Sequence, residues 1–221
     1  MIIHRLEASA KIPAALRKVY GHLAGIVIET LGCYEELITL FGDSKETIQL
    51  MNATAPAFFM RHEHLLIDHI ILCLSRLTDE NQSGSRKNRQ ENLTLARLLE
   101  LPEAEFDALR VDLKKKWKEI KAAAEPVRLY RHKLLAHTSL MHYLSPSTSL
   151  ANGITMKSVR NLLDQILDYL AAFDYFFTGV DTPVGYPASY GDAADLIAYL
   201  RLAVEAEKKR NDELRRDALK S

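Results

Sequence analysis

The stretch Thr155–Phe177, TMKSVRNLLDQILDYLAAFDYFF, decides the fold class. Its apolar residues Val159, Leu163, Ile166, Leu170, Phe173 and Phe177 recur at alternating steps of four and three. That is the period of an α-helix with one buried face, since 3.6 residues complete a turn. A strand would need apolar residues at every second position, and almost no such run is sustained anywhere in the chain. Only 9 Gly and 7 Pro punctuate the 221 residues, and the helical period recurs on both sides of this stretch. An all-α protein is therefore expected.

Working outward, the same pattern predicts a long helix from about Pro13 to Leu40, with proline tolerated in its first turn. Gly42-Asp43-Ser44 breaks it. A short helix from Lys45 then leads to a longer one over about Ala55–Leu77, whose apolar stripe is Phe59, Leu66, Ile70, Cys73 and Leu77. Arg61, His64, Asp68, Ser75 and Asp79 fall roughly on one side of it, a face that is usually solvated but could line a cleft. Asp79–Gln90 contains no apolar residue and reads as a mobile loop. Asn88 with Glu91 three later fits a capping box for a short helix carrying Leu93, Leu95, Leu98 and Leu99. Pro102 opens the next helix and Pro126 ends or kinks it. A motif helix follows, then the loop Ser145–Gly153. The terminal helix is amphipathic only as far as Val204, and its charged continuation reads as a solvated, frayed end.

Lys+Arg and Asp+Glu balance at 29 each, so no global field draws the chain to nucleic acid or an anionic membrane. Charge is uneven, however: Ser85–Lys133 holds 13 Lys/Arg against 8 Asp/Glu. The plain reading of that excess is a solvated helix face. Cys33 and Cys73 sit in apolar helical patterns and read as free thiols. The N-terminus lacks a secretory apolar region. The longest apolar run, Leu65–Leu74, is broken by Asp68 and His69 and is too short for a bilayer. A cytoplasmic protein is expected. His62, His64 and His69 share a helix, but no cysteine and no close His pair four apart supports a metal site, and no cofactor motif is present.

Chemistry concentrates in Tyr130-Arg131-His132-Lys133-Leu134-Leu135-Ala136-His137. Val127, Tyr130, Leu134, His137 and Met141 continue an apolar stripe, so His137 on its own reads as a histidine at the edge of the core. Its neighbours alter that reading. Arg131 can grip a phosphate bidentately, and His132 adds a donor beside it. No Asp or Glu lies between Arg128 and Met141, so the cations look available to an external anion. RNA cleavage needs a base for the 2′-hydroxyl, an acid for the leaving oxygen and positive charge at the phosphorus. Histidine suits the first two near neutrality and arginine the third. Six residues along an ideal helix separate Arg131 and His137 by about 120° and roughly 9 Å. One copy of the motif thus needs a helix that loosens near Ala136, or a second copy from another subunit. Lys114, Lys115, Lys118, Arg128 and Lys133 are candidate RNA contacts. Trp117 among the lysines could stack a base, though a lone tryptophan is more often a packing anchor.

Arg131-His132, four residues, then His137 resembles the R-x(4–6)-H motif of HEPN-domain proteins. The wider stretch Leu129–His137 looks most like their abortive-infection, AbiU-type branch. Ser75-Arg76-Leu77-Thr78-Asp79, followed after the polar loop by Asn92-Leu93-Thr94-Leu95, is similar to a second recurring segment of that branch. The resemblance covers about Leu40–Phe177. It implies a HEPN-like antiparallel helical bundle with additional terminal helices, here one domain over 1–190 and a C-terminal helix over 191–221. It further implies a homodimer that pairs two motifs in a cleft. Catalytic members are metal-independent endoribonucleases, often in phage defence or toxin–antitoxin pairs. By that resemblance Arg131 would stabilise the phosphate, His137 would be the general acid/base and His132 would assist. RNA and a cognate antitoxin protein would be the partners. Other relatives are non-catalytic modules that bind RNA, nucleotide or protein. HEPN toxins silenced by nucleotidylation carry a tyrosine two residues after the histidine, where this chain has Ser139, which argues against a nucleotidyltransferase antitoxin.

Overall fold

A computed structural model of the chain describes residues 12–42, 44–84, 88–100, 106–132, 154–179 and 192–219. Among them are six α-helices: α1 (Ala14–Phe41), α2 (Lys45–Thr54), α3 (Pro56–Leu77), α4 (Asp107–Tyr130), α5 (Met156–Thr178) and α6 (Ala193–Ala218). Between α3 and α4 lie two short strands, β1 (Gln82–Ser83) and β2 (Gln90–Glu91), and a 3₁₀ helix at Leu95–Leu99. The fold is all-α, as the periodicity predicts. Contacts group the chain into two compact units. One holds α1 as far as Leu31 and everything from Asp68 through α5; the other holds Gly32–Ile67 and α6.

The first unit is built on α5. Its N-terminus is closed by a capping box: the Thr155 hydroxyl accepts from the Ser158 amide at 3.0 Å, and the Ser158 hydroxyl accepts from the Thr155 amide at 2.7 Å. This satisfies two amides that the helix itself cannot. Its C-terminus stops at Gly179, whose left-handed φ of 67° a side chain would strain. Between these caps the predicted stripe is buried, and Tyr169, Leu170 and Phe173 are wholly enclosed. α4 packs along it and contributes Leu109, Leu113, Ile120, Ala124 and Val127. Tyr20 of α1 stacks on Phe173 with ring centres 5.3 Å apart. The Tyr169 hydroxyl donates to the Leu95 carbonyl at 3.0 Å, which ties the 3₁₀ helix to the core. Burial pushes that phenol far above its ordinary range, so it stays a donor. Trp117 lies tilted against Tyr169 at 6.4 Å, which makes it a packing residue.

The second unit has its own small core of Leu40, Met51, Phe59, Ala193 and Ile197. Ser44 caps α2 by accepting from the Thr47 amide, and Asp192 caps α6 by accepting from the Ala194 and Asp195 amides. α6 remains helical to Ala218, but every residue from Glu205 to Leu219 is exposed.

Three details differ from the sequence expectation. Part of the polar stretch Asp79–Gln90 is ordered as a ladder pairing Gln82 with Glu91 and Ser83 with Gln90. Polar side chains lock it: Gln82 donates to Glu91 at 3.0 Å and Ser83 to Asn92 at 3.1 Å. Glu91 is therefore a strand residue, not half of a capping box, and Thr94 is the N-cap of the 3₁₀ helix, without a side-chain hydrogen bond. Finally, Pro126 does not end α4, which runs through it to Tyr130. Proline removes one helical hydrogen bond, at a cost of about 3 kcal/mol in a helix interior. Beyond it, however, Val127 is buried and Arg128 is anchored, which holds the final turn. Arg131 therefore follows directly on the basic helix as its C-cap.

Candidate functional site

The site is assembled where α3 ends. Thr78 terminates that helix with its hydroxyl donating to the Leu74 carbonyl at 2.8 Å. The chain then turns through Asp79, Glu80 and Asn81, and each of Thr78, Asp79 and Glu80 receives a cation from α4 or from Arg131, its C-cap. Lys121 donates to the Glu80 carboxylate at 2.5 Å. Arg128 donates to the Thr78 carbonyl at 3.2 Å and is also paired with Glu125. Arg131 forks onto Asp79, with Nη1 at 2.5 Å from Oδ2 and Nη2 at 3.5 Å from Oδ1. Positions 121, 128 and 131 are seven and three apart, the spacing of one helical face. The side chains of Arg131 and Asp79 are 27% and 33% exposed, so the pair is shielded without being cut off from solvent.

The opposite side of the turn is braced from the β2 side. The Asn92 amide donates to the Asn81 carbonyl at 2.8 Å, and the Asn92 side chain donates to the Glu80 carbonyl at 2.9 Å. The Thr94 hydroxyl donates to the Asn81 side-chain oxygen. Arg97 donates from Nη2 to the Asn81 carbonyl at 2.6 Å and from Nε to the Asn92 carbonyl at 2.9 Å, and it also pairs with Glu91 and Glu100. The two halves of the second resembling segment, Ser75–Asp79 and Asn92–Leu95, thus lie at the two sides of one turn.

This arrangement corrects the reading of Arg131 as a cation awaiting an external anion. Its partner is Asp79, 52 residues upstream. Asp79 was legible as a polar position that could line a cleft, but its pairing with Arg131 was not. The available signal was its place at the end of the recurring segment, but no local spacing links it to Arg131. Lys114, Lys115 and Lys118 are exposed on α4. Lys118, the nearest, lies thirteen residues from Arg131, about 20 Å along a helix. The lysines and the arginine are not brought together.

At Arg131 and His132 the helix opens into a wider, π-type turn. The Arg131 amide is shared between the Val127 and Arg128 carbonyls. Such widenings often occur at functional sites. His132 is exposed at this turn. Lys133, Ala136 and His137 lie outside the described residues. Nearby, burial and then the charge of Asp68 raise the Tyr130 hydroxyl, so it is no base near neutrality. The hydrogen bond from Lys121, followed by that lysine's charge, lowers the Glu80 carboxyl. Two of the three histidines on α3 have local partners: His62 bonds Glu36 at 2.8 Å, and His69 sits 3.5 Å from Cys73 and 3.7 Å from Glu29. Burial raises the Cys73 thiol and keeps it protonated.

The class of protein is set by a family-model match: residues 11–175, 165 of the chain's 221, fit a HEPN model. That model is described as AbiU2, and the chain belongs to this AbiU2 family of HEPN proteins. Membership points to a HEPN nuclease-like or abortive-infection function. No curated protein and no solved structure matches the chain. Among the described residues no helix is long and apolar enough to cross a membrane.

Proposed function

We propose that this protein is a metal-independent endoribonuclease of the phage-defence or toxin–antitoxin kind. It acts in the cytoplasm as a homodimer that pairs two Arg/His motifs, and a cognate antitoxin protein restrains it. The observation that carries this reading is the fixed guanidinium of Arg131 at a widened helical turn, six residues before His137. In the reaction His137 takes the proton of the RNA 2′-hydroxyl. The 2′-oxygen attacks the adjacent phosphorus, the bond to the 5′-oxygen breaks, and that oxygen receives a proton. Histidine serves both transfers because its ordinary pKa lies near neutrality. Arg131 stabilises charge on the phosphorus oxygens and His132 assists. Arg128 and Lys133 contact the RNA near the cleaved bond, while Lys114, Lys115 and Lys118 hold its backbone further along α4.

Purified protein incubated with a panel of RNAs in the presence of a chelator is expected to cut, and His137→Ala to lose cutting while keeping its helical circular dichroism. Undiminished cleavage by the folded variant would remove His137 from the mechanism. One observation favours a second reading, a non-catalytic module that binds RNA, nucleotide or a protein partner: the Arg131 fork is engaged by Asp79. RNA binding that requires Arg131, with no cleavage by any preparation, would select it.

A further inference from the structure

Asp79 and Arg131 meet through the terminal edge of the guanidinium, one N–H from each Nη. A guanidinium carries five N–H donors in a planar fork. The Nε–H and two further N–H groups therefore lie outside this contact and point along the other edges of the plane. Such a side edge can still take a phosphate bidentately while the terminal edge stays on the carboxylate.

From this we infer that Asp79 is a positioning residue for Arg131: it clamps the end of the guanidinium so that the side edge faces the RNA phosphate. The inference rests on the ribonuclease reading above and extends it to a residue 52 positions away. Three observations support positioning over simple charge neutralisation. The carboxylate engages both terminal nitrogens, which fixes the plane of the group as well as its location. Asp79 is itself held, because the residues after it are braced by Asn92, Thr94 and Arg97. The neighbouring cations are held by the same turn, Arg128 through the Thr78 carbonyl and Lys121 through Glu80, so the end of α4 cannot shift independently of Asp79. A flexible arginine would have to be ordered during each catalytic cycle, whereas this one is ordered beforehand.

The test compares wild type with Asp79→Asn, Asp79→Ala and Asp79→Glu, using a short single-stranded RNA and the full chain. The neutral variants are expected to lower kcat about tenfold or more while KM moves less, because orientation matters most in the transition state. Asp79→Glu, which keeps the carboxylate, is expected to recover part of that loss. Unchanged or faster cleavage by folded Asp79→Asn would overturn the proposal, and faster cleavage would identify Asp79 as a competitor of the phosphate. A second readout is independent of activity. In ¹⁵N NMR, rotation of the Arg131 guanidinium is expected to be slow in wild type and fast in Asp79→Asn. Equal rotation in both overturns the clamp. If no preparation cuts RNA but the rotation difference appears, the ribonuclease reading falls and the clamp stands as the geometry of a phosphate-binding arginine.

Discussion

Arg97 has no part in the proposed chemistry, yet it bonds two backbone carbonyls and two carboxylates while its side chain is only 15% exposed. Arg97→Ala would leave the Asn81 and Asn92 carbonyls without that donor. Hydrogen bonds to charged groups contribute about 1.5–3 kcal/mol each, so a loss of about 2–3 kcal/mol is expected in urea denaturation. Glu80 gives a prediction with a defined sign. Its folded carboxyl lies below the ordinary 4.5, so the stability it contributes is fully present above that value and is lost as pH falls through the folded one. Stability should therefore drop on acidification below about pH 4.5, and Lys121→Gln should flatten this part of the curve. The pair is largely exposed, which keeps the effect under about 1 kcal/mol. At this scale the sequence misled in one specific way. The absence of acids near Arg131 was real, but the acid that matters is brought in by the fold from the end of α3.

Elements were the most legible level. α1, α3 and α5 begin and end within about a residue of their predicted limits, because each presents a continuous apolar stripe between recognisable stops. Thr155 illustrates how a local signal fixes a boundary. Thr155→Ala removes half of the capping box and should cost about 1 kcal/mol, measurable as a lower urea midpoint with an unchanged slope. Tyr169→Phe strands the buried Leu95 carbonyl and should cost about 1–2 kcal/mol while leaving the helix content unaltered. The β1–β2 ladder was not legible. Two residues per strand carry no periodicity, and the pairing depends on Gln82, Ser83, Glu91 and Asn92 matching side chains across it. Nor was the passage of α4 through Pro126, since what steadies that last turn is the Thr78 carbonyl, far away in sequence.

For the whole molecule, two compact units and one solvated helix end define what can be removed. From Glu205 onwards α6 buries nothing. A chain ending at Val204 should match the full chain in stability to within about 0.5 kcal/mol, since exposed residues away from caps and cores contribute little. A larger fall would show that this end has a packing partner. The family was legible because the two recurring segments stand in order on a helical background, and the match over residues 11–175 bears that out. The proposed pairing of two subunits rests on the resemblance alone, because a symmetric contact leaves no spacing within a single chain. Sedimentation of the purified protein is expected to give twice the monomer mass of 25.0 kDa.

The turn from Thr78 to Asn81 has a consequence for chain length. Both of its ends are fixed, one by the last carbonyls of α3 and the other by Asn92, so the number of residues between them matters as much as their identity. One residue inserted in the last turn of α3, ahead of Thr78, would carry Asp79 about 100° round the helix axis and uncouple it from Arg131. The same insertion between β1 and β2 lies beyond the paired residues and should leave the ladder register unchanged. Along this stretch, tolerance to lengthening should change abruptly at Asn81, with the strict side facing Arg131.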